Sequence, residues 1–282
     1  MTGKVILNVG DLIKGVVVKR PSLHCKTPYV ADVQLDNDEM ILGHTAALGC
    51  CGLVDKEAVV YMKMVESKKN VCSHKIMVSE REERGVKYLV GVYPKIAENV
   101  VENCIKKDYL SALSNVGSYQ REKTFMNSRF DFNGIDADGK RFVLEVKNVP
   151  LADYEDCSAK ERKKMNFDNR DIDDKVAYFP DGYRKHKNAP VSERAIKHIR
   201  ELKDIHVNEN IRSIICYVIQ RSDVSRFQPS KLDPTYRLAV QEAISYGVEI
   251  MTIVCEWTLD GNIQFVTDQL PVSLFDRYEY EY

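Results

Sequence analysis

Between residues 14 and 92 the chain alternates between apolar bursts and turns. Residues 15–19, 29–35, 40–43, 58–65, 75–78 and 86–92 are short β-branched or aromatic runs, and their spacing predicts a small all-β barrel or sandwich. Pro94 opens a different period. Ile96, Val100, Ile105, Tyr109 and Leu113 recur at helical spacing and predict a helix over 96–113. A boundary between 80 and 94 follows, with one domain over 1–93 and a second over 94–282.

After a stretch at 118–125, two alternating runs flank Asp136-Ala137-Asp138-Gly139, a strong hairpin signal. On the second run Phe142, Leu144 and Val146 share one face, and Val143, Glu145 and Lys147 the other. A three-residue loop with Gly139 at positive φ sets Asp131 opposite Glu145, whereas a two-residue turn displaces the pairing by one. Like charges across a ladder repel. A divalent cation held by both carboxylates, with Lys147 beside it, resolves the repulsion.

Residues 153–174 are charged and nearly without core positions, which predicts an exposed insertion at about 153–176. A second basic cluster, Arg184-Lys185-His186-Lys187, follows Tyr178-Phe179-Pro180-Asp181. Each cluster is either a solvated loop or a phosphate contact. Ser192 caps a helix with Ala195, Ile196, Ile199, Leu202 and Ile205 inward, leaving Lys197, His198, Arg200 and Lys203 for its surface. Residues 211–219 read as a strand buried on both faces, Asp233-Pro234 starts a helix stopped at Gly247, and 248–254 with 261–266 supply further strands. The second half is therefore a mixed sheet flanked by helices, in an α+β chain.

Composition narrows the function. With 44% hydrophobic and 29% charged residues the 282-residue chain is ordinary globular protein. Its 41 Lys+Arg nearly balance 42 Asp+Glu, so a nucleic-acid partner must be held by a local patch. Lys63, Lys68, Lys69, Lys75, Arg81, Arg84 and Lys87 can line such a groove on the barrel, although solvation of strand edges accounts for them more simply. No apolar run reaches the roughly 20 residues of a membrane span, and no signal-peptide core is visible, so an intracellular, cytoplasmic protein is expected. The 8 cysteines read as reduced thiols. His24-Cys25, His44, Cys50-Cys51, Cys72 and His74 have poor spacing for a zinc site.

An Asp on one strand and Glu-x-Lys on the next suit metal-assisted phosphodiester hydrolysis: hard oxygens hold Mg²⁺, and a neighbouring lysine stabilises charge. At this point Ser128-Arg129-Phe130-Asp131-Phe132, Glu145-Val146-Lys147-Asn148-Val149, Tyr178-Phe179-Pro180-Asp181 and Lys197-His198-Ile199-Arg200-Glu201-Leu202 resemble the sugar fermentation stimulation protein (SfsA) family. Val218-Ile219-Gln220-Arg221, Asp233-Pro234-x-Tyr236 and Gly247-Val248-Glu249-Ile250 continue the resemblance in order, over nearly all of 118–274. It is looser in the first domain, at Tyr29-Val30-Ala31-Asp32-Val33, His44 with Gly49 and Gly52, and Gly91-Val92-Tyr93.

The resemblance implies an N-terminal OB-like barrel followed by a restriction-endonuclease-like PD-(D/E)xK nuclease fold that binds DNA, with RNA as the alternative. It implies that Asp131 and Glu145 are the metal-binding acids, joined by the Val146 carbonyl, that Lys147 is the motif lysine and that Glu122 is a further acid. Mg²⁺ is the expected cofactor, with Mn²⁺ able to substitute. Arg129, Arg221, Lys197, Arg184, Lys185 and Lys187 are then the candidates for the nucleic-acid backbone. A homodimer is compatible with the pattern but is not read from it.

Two stretches depart from the family. His-Cys-Pro-Asn-Thr-Gly is here His44-Thr45-Ala46-Ala47-Leu48-Gly49, and the path from Glu-x-Lys to Phe-Pro-Asp is lengthened, with a further extension around 185–191. Two other readings stand beside the nuclease. One is a non-catalytic DNA-binding regulator of sugar metabolism genes; the other is an interaction protein with a salt-bridged strand face.

Overall fold

A strand that the apolar pattern did not announce, β1 (Lys4–Asn8), precedes the six expected runs. Those become β2 (Ile13–Lys19), β3 (Val30–Leu35), β4 (Met40–His44), β5 (Val59–Met64), β6 (His74–Glu83) and β7 (Val86–Gly91). This computed structural model describes residues 3–45, 52–65, 71–125, 127–182 and 189–275. The six strands pair in the order β4-β3-β2-β5-β6-β7, and a short parallel contact of β4 with β6 closes five of them into a barrel-like sheet. Val17, Ala31, Val33, Val60, Met62 and Ile76 fill it.

Helix α1 (Lys95–Lys106) is shorter than the expected 96–113. Asp108 takes φ +54, and the Tyr109 amide turns back to the Cys104 carbonyl at 2.9 Å, a left-handed stop. Leu110 and Leu113 stay buried beyond it, so the apolar spacing persisted where the helix did not.

Then come β8 (Ser118–Phe125), β9 (Ser128–Ile135), β10 (Arg141–Val149), β11 (Ala152–Asp153), α2 (Ala159–Arg162), β12 (Lys175–Phe179), α3 (Glu193–Glu209), β13 (Arg212–Ile219), β14 (Val224–Pro229), α4 (Pro234–Ser245), β15 (Glu249–Trp257) and β16 (Asn262–Thr267). The main sheet runs β1-β16-β15-β13-β10-β9-β8, with β10, β13 and β15 parallel and the rest antiparallel. The mixed sheet is as expected, but the division at 93 is not clean. Residues 4–8 belong to this second sheet, because β1 pairs with β16 and drives Ile6 into its core.

Alternation along β10 divides two cores. Phe142, Leu144 and Val146 pack with Val100 and Cys104 of α1, whereas Val143 packs with Ile199 of α3 and Val240 of α4. The chain leaves the barrel through a close contact at Gly91. Its amide donates to the Gln220 carbonyl at 2.9 Å, and Gln220 in turn accepts from Trp257 Nε1 and donates to Asn148 on β10. The barrel is thus tied directly to the strand that carries Glu145 and Lys147.

The charged insertion is better anchored than its composition suggested. Tyr154 is buried and stacks on Phe167 with centroids 5.1 Å apart, and Arg84 from the β6–β7 turn donates to the carbonyls of Phe167 and Arg170. Buried Asp156 accepts from Gln228, Ser230 Oγ and the Lys231 amide. Among the described residues no helix is long and apolar enough to cross a membrane, and Cys25, Cys72, Cys104, Cys157, Cys216 and Cys255 are free thiols. Cys50 and Cys51 lie outside the described residues.

Candidate active site

The β9–β10 turn fixes everything around it. Asp136 and Lys140 close a three-residue loop by an amide-to-carbonyl bond of 2.9 Å, and Gly139 supplies φ +77. The Asp136 carboxylate also accepts from the amides of Asp138 and Lys140. The register then pairs Arg141 with Ile135 and Leu144 with Phe132, which is the alignment the three-residue loop predicts.

One step on, at Asp131 and Glu145, the regular ladder ends. Asp131 Oδ2 accepts from the Val146 amide at 2.7 Å, a side chain taking the place of a main-chain carbonyl. Phe132 joins the α1-side core and Phe130 the opposite one. Residues two apart on a regular strand would share a face, so β9 twists at Asp131. Across from it on β8, Glu122 takes φ +56.

Glu145 is 3% exposed and Lys147 9%. Glu145 Oε1 accepts from Lys147 Nζ at 2.5 Å and meets His198 Nδ1 from α3. Arg194 Nε lies 3.4 Å from His198 Nε2. An arginine nitrogen can only donate, so Nε2 accepts and the proton sits on Nδ1, facing Glu145. Glu145 Oε2 is buried with no hydrogen-bond partner.

Charge follows this geometry. Burial, reinforced by the Glu145 charge, pushes the Asp131 carboxyl up to about 7. Burial also acts to raise Glu145, but the Lys147 charge and the His198 bond outweigh it and hold that carboxyl below its usual range. Two carboxylates with pKa values driven apart in one cleft are what acid–base or metal chemistry requires. Among the described residues no three His, Cys, Asp or Glu side chains are grouped to hold an ion by themselves, so this site offers a pair of carboxylates. That pair fits a hard divalent cation: one buried oxygen has no partner, and burial together with the Glu145 charge raises the neighbouring carboxyl, a cost that a cation between them relieves.

Asp131, Glu145, Val146 and Lys147 open into a cleft of about 500 Å³, and Glu122 is in its wall. Arg129 does not line the cleft; it is exposed and lies 3.6 Å from Glu122. Lys197 is exposed on α3, donating to the Asn127 carbonyl and 3.6 Å from Glu201. Arg221 is a correction. It is 3% exposed, paired through two bonds of 2.6 Å with Asp223, and therefore has no face to offer a nucleic acid. Arg184, Lys185 and Lys187 lie outside the described residues.

The sequence also misjudged His198, which is 4% exposed rather than on the helix surface. It falls one residue before Ile199 on the apolar stripe, and only its polarity argued against burial. Lys95 and Glu98 of α1 and Arg194 of α3 line the same cleft and went unnoticed. The signal available was position alone, in the first turns of two helices.

Residues 95–261 match the family described as the sugar fermentation stimulation protein RE domain. The chain belongs to this family. Relatives named sugar fermentation stimulation protein homolog include one from Brucella ovis, 29% identical over 254 residues, covering 89% of this chain and 92% of that one. Another, from Magnetococcus marinus, is 28% identical over 233 residues and covers 82% and 86%. Pyrococcus furiosus SfsA, whose structure is described as a complex with Ca²⁺, superposes with a TM-score of 0.74 at 20% identity, over 95% of this chain and 99% of that one. The family match covers the second sheet and its helices, and the shared fold extends over the barrel as well.

Proposed function

We propose that the protein is a Mg²⁺-dependent nuclease hydrolysing phosphodiester bonds of DNA, with RNA as the alternative substrate and Mn²⁺ able to replace Mg²⁺. The observation that carries this reading is the buried, unpartnered Oε2 of Glu145 beside a carboxyl raised to about 7. Asp131, Glu145 and the Val146 carbonyl would hold the cation, which when bound polarises the scissile phosphate and acidifies a water. Lys147, fixed by Glu145 Oε1, offers its ammonium to the charge that develops on the phosphate oxygens. His198 orients Glu145, and the Val146 amide orients Asp131. Lys95, Arg194 and Arg129 supply positive charge for the flanking backbone. The Ca²⁺ in the Pyrococcus furiosus relative accords with a site for a hard, oxygen-seeking ion.

The test is incubation of the purified protein with single- and double-stranded substrates in Mg²⁺, Mn²⁺ or EDTA. Cleavage is expected only with metal, and is expected to vanish in Asp131→Ala and Lys147→Ala. Metal-dependent cleavage that survives both changes would place the chemistry elsewhere. Salt-sensitive DNA binding without cleavage would favour the non-catalytic regulator, for which the Lys147–Glu145–His198 contacts alone could hold the strand.

A further inference from the structure

A second concavity adjoins the cleft. It measures about 680 Å³, lies between the barrel and α1, and shares Tyr93 and Lys95 with the carboxylate cleft. Lys63, Lys75 and Lys95 line it, and among the described residues in its wall there is no aspartate or glutamate. In a chain with 42 acids that is a marked bias. The carboxylate cleft itself contains Glu98, Glu122, Asp131 and Glu145, and another concavity beside Trp257 has Glu80, Asp173, Asp223 and Glu256 in its wall.

The lysines are held in place. Lys63 Nζ donates to the Val9 carbonyl at 2.6 Å, and Lys75 Nζ lies 5.6 Å from the centre of the Tyr93 ring. Between them the wall is apolar, with Met77, Ile96 and Met64, the last 59% exposed. Cations alternating with apolar and aromatic surface suit a polyanion whose bases are uncovered. A duplex hides its base faces and would gain nothing from that apolar floor.

We propose that this groove is the path of a single-stranded nucleic-acid segment. It passes from the carboxylate cleft over Tyr93 and Lys95 onto the β5–β6 face of the barrel, with Lys63 and Lys75 on its phosphates. The proposal rests on the reading of the cleft as a phosphodiester site and adds strandedness and direction to it. A substrate with a single-stranded tail on the barrel side of the cut is then held better than one that ends at the cleft.

The experiment measures binding of labelled oligothymidylates of about 16 and about 4 nucleotides in EDTA, across a salt series. The double variant Lys63→Gln/Lys75→Gln is expected to lose roughly tenfold in affinity for the longer strand and little for the shorter. Its log-affinity against log-salt slope should flatten by about 1.4, from two phosphate contacts at ~0.7 each. Because Lys63 also supports the Val9 carbonyl, Lys75→Glu alone is run beside it, with melting curves, and should show the same preference. Unchanged affinity and slope in a folded variant overturns the groove, as does a loss confined to duplex DNA. Asp131→Asn separates the two readings. It should abolish cleavage yet leave EDTA binding intact, and an absence of cleavage by the unsubstituted protein would count against the nuclease without touching the groove.

Discussion

His198 Nδ1 and Glu145 Oε1 are in hydrogen-bond contact across the interface of α3 and β10, and both side chains are buried. Only one oxygen of Glu145 is engaged in this way, and the contact fixes the direction in which the other one points. A histidine that orients a liganding carboxylate without touching the ion typically governs affinity by 10–100-fold. His198→Ala is therefore expected to weaken Mn²⁺ binding, followed by calorimetry, by about that factor. His198→Gln, which keeps a donor, should recover part of it. Equal Mn²⁺ affinity in all three proteins would reduce His198 to packing against Phe130.

Asp131 gives a pH signature of the metal-free protein. Its folded carboxyl titrates at about 7, above an unfolded value near 3.8. A raised acid contributes stability below the unfolded pKa and loses it as pH rises through the folded one. Between about pH 6 and about pH 8 in EDTA, the loss should be about 1 kcal/mol. Urea titrations should detect it, Asp131→Asn should abolish the slope, and added Mg²⁺ should offset it at the higher pH. A metal-free protein whose stability is flat over that range would contradict the assignment.

Lys147 and Glu145 make a third test. The pair is buried, so Glu145→Gln keeps the shape while removing the negative charge beside Asp131. Cleavage is expected to fall by at least about a hundredfold, with oligonucleotide binding in EDTA retained. Parallel loss of cleavage, binding and melting temperature would show that the fold had been damaged instead.

Much of this is legible in the sequence. Alternation along β10 assigned Phe142, Leu144 and Val146 to one core, and the Asp-Ala-Asp-Gly turn set the register that brings Asp131 towards Glu145. The contributions of distant elements were not legible. β1 pairs with a strand more than two hundred residues away, and no local pattern marks such a partner. His198 looked like helix surface because its burial depends on an acid from another strand. Arg221 looked available although its counter-ion, Asp223, is only two residues on, because Tyr88 and Lys175, which contact the pair, come from elsewhere in the chain.

Gly91 tests the junction of the two sheets. A Cβ there would lie 2.3 Å from Trp257 Nε1 and 2.5 Å from Gln220 Oε1, so Gly91→Ala must push apart the contact tying barrel to sheet. A cost of about 1–3 kcal/mol is expected. Trp257 is the only tryptophan in the chain, so its fluorescence reports the junction directly.

Arg221 supplies the sharpest contrast with the first expectation. A backbone-binding arginine, once removed, would weaken nucleic-acid affinity and flatten its salt dependence while sparing stability. The buried Arg221–Asp223–Lys175 cluster predicts the opposite. Arg221→Ala leaves Asp223 with a single cation, Lys175, in a nearly buried site. Losing the charge-assisted hydrogen bonds that Asp223 accepts from Arg221 costs about 2 kcal/mol. Denaturation should register that loss, while the salt slope of oligonucleotide binding by the remaining folded protein should match the unsubstituted chain. A flattened slope with unchanged stability would return Arg221 to the nucleic-acid interface.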